Sequence, residues 1–188
     1  MARPRDIDAG FVAGPLLGKD EIRRCLGDLA EELERRGAPT VELIIVGGTY
    51  LALHDLREST RDVDSATALN QLLRDAAVVV AERRGLRQDW INDHARPFLP
   101  ADFERSLCSV LVEYSTLTVL GPPPDDVLMM KAYASRETDV ADMVRLWPLC
   151  SFTTPAAAAR RFVHAYPHAP DDPHLDSYFA GIASRAKH

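Results

Sequence analysis

Between residues 19 and 36, Ile22, Leu26, Leu29 and Leu33 recur at helical spacing with charged residues between them, which predicts an amphipathic helix. Gly37 and Pro39 end it. Residues 41–46 are apolar and largely β-branched apart from Glu42, and predict a mostly buried strand. Gly47-Gly48 breaks that strand, and Thr49 is expected to open a short helix reaching His54 or Leu56. Residues 60–66 alternate, Arg61 and Val63 against Asp62 and Asp64, and predict a second strand. A helix is expected over 69–84, ended by Gly85, then a loop over 88–100 and two strands, 107–114 and 117–120, that could form a hairpin. Gly121-Pro122-Pro123-Pro124 is a hard stop. Asp125 is placed to cap a helix over 127–135, and another helix is expected over 138–146. Beyond Thr154 come two short helices separated by a Pro- and His-rich linker, 166–174. These elements predict an α/β fold: a small mixed sheet flanked by helices, with a helical C-terminal part. The expected division is a core over 1–150, including the N-terminal helix, and a helical appendage over 151–188.

Composition narrows the class. With 188 residues and 46% apolar content the chain can bury a real core. Its net charge of −6 argues against coating nucleic acid non-specifically, which requires many cations on phosphates, but leaves room for a local basic patch. The pairs Arg23-Arg24, Arg35-Arg36, Arg83-Arg84 and Arg160-Arg161 read individually as solvated helix faces. Cys25, Cys108 and Cys150 are odd in number and widely spaced, which argues against a disulfide framework or zinc ribbon and fits a reducing cytoplasm. No apolar run approaches the ~20 residues that span a bilayer, so no membrane partner is expected. The N-terminal segment from Met1 to Asp6 is charged without an apolar run after it, so no secretory signal is expected there.

The chemistry concentrates in Val46-Gly47-Gly48-Thr49 and Thr60-Arg61-Asp62-Val63-Asp64. Side chains two apart on a strand share a face, so Asp62 and Asp64 are expected to point together with Val63 turned into the core. Two neighbouring carboxylates repel unless a cation lies between them, and a site of this kind suits Mg²⁺ together with substrate phosphates. A Gly-Gly turn lets backbone N–H groups approach a phosphate, and a helix opening at Thr49 would direct its positive end to the same place. Each piece alone is more often a plain turn or a solvated face; their order and separation make the combination specific.

Gly47-Gly48-Thr49 followed by Asp62-Val63-Asp64 resembles the signature of the DNA polymerase β-type nucleotidyltransferase superfamily. The later run from Asp126 through Lys131 to Thr138-Asp139-Val140-Ala141-Asp142 is similar to the Lys-bearing and Asp-x-x-Asp helices of the AbiEii and MenT toxins of bacterial toxin–antitoxin pairs. Trp90-Ile91-Asn92-Asp93 resembles an element of small relatives. The resemblance covers roughly residues 41–146. It implies Asp62 and Asp64 as metal ligands, Gly47, Gly48, Thr49, Thr60 and Arg61 as nucleotide-binding residues, Lys131 on the triphosphate and Asp139 in the active site. Thr60 stands where toxin relatives carry a Ser or Thr that a partner phosphorylates, which would set negative charge beside the metal. The chain departs from many relatives in having Thr138, not a basic residue, before Asp139. The superfamily's third carboxylate lies on a later strand, and Glu113 is the residue so placed; the sequence leaves Glu113 and Asp139 both open.

The expected reaction is attack of an acceptor hydroxyl on the α-phosphate of an NTP, with release of pyrophosphate. The resemblance favours a tRNA 3′ end as acceptor and a cognate antitoxin as partner. Transfer to a small hydroxyl compound such as an aminoglycoside is the alternative enzyme reading, and a non-catalytic nucleotide- or partner-binding relative is the third. A cleft rimmed by Arg57, Arg61, Arg83 and Arg84 would favour RNA, and an acidic rim the drug. His164, His168 and His174 match no zinc spacing. Trp90 and Trp147 are expected to pack.

Overall fold

The computed structural model describes residues 14–187, so the charged N-terminal segment from Met1 to Asp6 lies outside the described residues. Strand β1 (Leu17–Gly18) leads into helix α1 (Lys19–Arg35), then β2 (Val41–Ile44), α2 (Gly47–Leu53), β3 (Ser59–Thr60), β4 (Val63–Asp64) and α3 (Gln71–Arg84). Strand β5 (Ile91–Asn92), the hairpin β6 (Ser109–Glu113) and β7 (Leu117–Gly121), and helices α4 (Pro124–Ala134), α5 (Asp139–Leu146), α6 (Pro155–Ala165) and α7 (Leu175–Arg185) complete the order. The architecture is the expected α/β one with a small mixed sheet.

β2 lies parallel to β7, which pairs antiparallel with β6; β4 lies parallel to β5. An antiparallel bridge between Ile45 and Ser65, with Val46 N–H donating to Asp64 C=O at 3.0 Å, joins the two groups of strands. Leu43 to Val46, at the end of β2 and just after it, are buried on both faces, which explains their continuous apolar sequence. Leu43 and Ile45 pack under α1 and α3 with Leu26, Leu29, Leu33 and Val80. Ile44 and Val46 turn the other way, onto Leu120 and Met130. α3 is held at its start by Asn70, whose side chain accepts from Leu73 N–H, and ends at Gly85 in the left-handed conformation.

Several elements differ from expectation for local reasons. The helix after β2 opens at Gly47, not Thr49, with Val46 as its cap. The expected strand over 60–66 is split into β3 and β4 by a bend at Arg61-Asp62, and β3 pairs with β1. The expected loop over 88–100 contains β5, because Trp90 C=O and Asn92 C=O accept from Val63 and Ser65 N–H at 2.6 and 2.8 Å. Asp125 does not cap α4; its carboxylate holds Ser151, and Pro123 occupies the cap. The C-terminal helices, read as an appendage, share a core with the first part of the chain: Ala158, Phe179 and Ile182 pack with Tyr50, Leu51, Leu128, Met143 and Leu146. No helix among the described residues is long and apolar enough to cross a membrane.

Candidate active site

β2 and β4 end side by side. The start of α2 and the residues around β4 meet α4 and the turn after it across a cleft of about 460 Å³. Gly47, Gly48, Thr60, Arg61, Asp62, Asp64, Lys131 and Asp139 all line it, so the cleft gathers residues far apart in sequence. Arg57, Ser59, His94, Arg136 and Thr138 complete the polar wall, and Val46, Ala95, Phe98, Val127 and Met130 contribute an apolar one.

The two glycines are required by contact. Gly47 has φ +63°, and a Cβ there would collide with the Asp64 carboxylate. A Cβ on Gly48 would lie 2.6 Å from Thr60 Oγ1 and 3.3 Å from Arg57 Nη1. The pair therefore lets the start of α2 press directly on the strand that carries the carboxylates. Thr49 is fully buried, and its hydroxyl donates to Asp62 C=O at 2.7 Å. It fixes the bend that presents Asp62 and does not itself line the cleft.

Asp64 stands beside Asn92 in the parallel ladder. Asn92 is buried, and its side-chain oxygen accepts from His94 N–H at 3.0 Å, which leaves its amide N–H groups for Asp64. Burial, and secondarily the charge of Asp62, push the Asp64 carboxyl up to about 6, against a smaller opposing pull from Asn92, Arg136 and Lys131. The native state thus keeps a proton that the unfolded chain has lost over the interval from about pH 4 to 6. The stabilisation is complete below the unfolded value and is lost as pH rises through about 6. In metal-free buffer, the stability of the wild type relative to Asp64→Asn is expected to fall across that interval by at most about 3 kcal/mol and then level off. Urea unfolding of both proteins from pH 4 to 8 checks this; a flat difference would show that the Asp64 carboxyl is neither desolvated nor repelled.

Lys131 is almost enclosed. Its ammonium donates to Asp139 Oδ1 and Asp142 Oδ2, both at 2.8 Å. Asp142 also receives Arg57 Nη1 at 3.1 Å and lies 3.5 Å from Arg145 Nη1. The sequence resemblance assigned Asp142 no role, although it lies three residues after Asp139 and therefore on the same helix face. Glu113 is not brought to the site: it is exposed at the end of β6, opposite Thr118, and does not line the cleft. Asp139 does line it.

The other tempting residues are engaged elsewhere. Arg83 pairs with Glu32, and Arg84 with Asp28 and Glu21, tying α3 to α1 and leaving neither on the cleft. Trp90 is buried, its indole N–H donating to Ala77 C=O at 3.0 Å, and Trp147 packs near Phe152 and Phe179. Cys25, Cys108 and Cys150 are all free thiols. No group of three or more His, Cys, Asp or Glu among the described residues is arranged to hold a metal.

Comparison with known proteins gives a family match over residues 24–146, to a family described as "Nucleotidyltransferase of unknown function (DUF6036)". The matched region runs from α1 to the end of α5 and includes the cleft residues from Gly47 to Asp139. No curated protein and no solved structure matches.

Proposed function

The chain belongs to this family of nucleotidyltransferases, and from that premise we propose that it moves NMP from an NTP to an acceptor hydroxyl in the cleft beside β4. One observation carries the assignment of chemistry to residues: Asp62 and Asp64 line the cleft together, with Gly47 pressed against the Asp64 carboxylate. Burial and then the charge of Asp62 raise the Asp64 carboxyl, a cost that a cation between the two carboxylates would relieve, and two carboxylates plus phosphate oxygens suit Mg²⁺. Asp62 and Asp64 would hold Mg²⁺, whose charge would offset that of the phosphate oxygens. Thr49 keeps Asp62 in place through its backbone, and Asn92 steadies Asp64. Asp139 gives one oxygen to Lys131; its other oxygen has no partner among the described residues and is the proton acceptor for the attacking hydroxyl in this reading.

For the acceptor, the resemblance of residues 126–142 to the AbiEii and MenT toxins supports RNA over a cationic drug. We therefore favour a tRNA 3′ end, and with it the role of a toxin held in check by an antitoxin. Incubation with Mg²⁺, each α-labelled NTP and either total tRNA or an aminoglycoside panel tests this. Label entering tRNA from one nucleotide supports the reading; label entering only the drug would replace the acceptor.

A further inference from the structure

We infer that the triphosphate of the nucleotide is gripped by Arg61 and Arg136, and that Lys131 is a fixed counter-ion that stays with Asp139 and Asp142. This rests on the nucleotidyl-transfer reading and revises where that reading places the phosphates.

The cations of the cleft differ in whether they are free to take a phosphate. Arg57 donates to Ser59 C=O at 2.8 Å and to Asp142. Lys131 is held by two carboxylates at hydrogen-bonding distance and is 7% exposed. Moving its ammonium onto a phosphate would strip Asp139 and Asp142, both buried, of their shared cation. That exchange gives up two charge-assisted hydrogen bonds for the new ones, so little binding energy is left over.

Arg61 and Arg136 are in a different state. Both line the cleft with Asp62 and Asp64, both are exposed, and neither forms an ion pair among the described residues. Arg61 is presented by the bend between β3 and β4, next to Asp62. Arg136 comes after Ser135, whose left-handed backbone (φ 52°) ends α4 and turns the chain back toward α5. The two guanidinium groups thus reach the cleft from separate loops. A triphosphate bridged to one divalent cation still carries net negative charge, and guanidinium forks match phosphate oxygens in pairs. Neither arginine has to leave a partner to receive it.

Binding calorimetry on the full chain with Mg²⁺ tests this, using ATP, GTP, CTP and UTP and then the monophosphate of whichever binds. Arg61→Ala and Arg136→Ala should each weaken triphosphate binding by about tenfold or more and flatten its salt dependence, while changing monophosphate binding by less than about threefold. Both side chains are exposed and unpaired, so the variants are expected to fold as the wild type does. Triphosphate affinity within about twofold of wild type in both variants would overturn the clamp, by the same measure of a charged hydrogen bond. If the wild type still transfers label in that case, only the clamp falls. If the wild type binds no triphosphate, the clamp falls together with the transfer reading.

Discussion

Replacing Lys131 with methionine is expected to cost about 3–5 kcal/mol of folding stability, because it strands buried carboxylates without their cation. Asp139 and Asp142 are 8% and 3% exposed, and each gives an oxygen to Lys131. Asp142 keeps Arg57 and Arg145 after the substitution, but Asp139 keeps no ion-pair partner among the described residues. The loss should therefore sit mainly with Asp139, and the double variant Lys131→Met/Asp139→Asn should recover most of it. Urea unfolding at neutral pH measures both. A loss below about 1 kcal/mol would mean that the cluster behaves like an exposed ion pair. This also bears on activity: a dead Lys131 variant reports on transfer only if it is shown to be folded.

Gly47→Ala is the second large effect, and it should strike activity harder than stability. The left-handed backbone at Gly47 costs an alanine about 1–2 kcal/mol. The added methyl would also drive into the Asp64 carboxylate, so Asp64 must move from its place beside Asn92. Displacement of a reacting group by about 1 Å can cost on the order of a hundredfold, and a loss of that size or greater in transfer rate is expected. Gly85→Ala is the matching control. Gly85 has the same sign of φ, +64°, but an added Cβ would meet nothing within 4 Å. It should lose a similar amount of stability and keep its activity. Equal rates in the two variants would show that the contact between Gly47 and Asp64 is unimportant to the site.

Much of this framework was legible in the sequence because the relevant signals are local. The helical spacing of Ile22, Leu26, Leu29 and Leu33 gave α1 to within a residue, and the run of prolines after Gly121 marked the end of the hairpin. The carboxylates and glycines were legible as a combination, and all four line one cleft. What escaped depends on contacts between distant segments. β5 is two residues long, and only its register with β4 makes it a strand. Asn92 could be seen as part of a motif, yet its place beside Asp64 comes from that same pairing. Arg83 and Arg84 look like free cations until α1 supplies Glu32, Asp28 and Glu21. Arg136 gave no periodic signal, because it lies in a turn, and it stands out with Arg61 only once Arg57 and Lys131 prove to be paired with carboxylates. The C-terminal helices looked separable because a linker precedes α7, but Phe179 and Ile182 complete the core around Leu51 and Met143.

Nucleotidyl transfer at this cleft is decided by tracing the two ends of one nucleotide. With Mg²⁺, an acceptor-containing RNA fraction and the NTP that supports labelling, the α-phosphate label should pass to the acceptor and the γ-phosphate label should leave as pyrophosphate. Both events should vanish in Asp64→Asn, whose fold the unfolding curves establish. Transfer of the γ-label to the acceptor, or undiminished α-label transfer by Asp64→Asn, would contradict nucleotidyl transfer at this cleft.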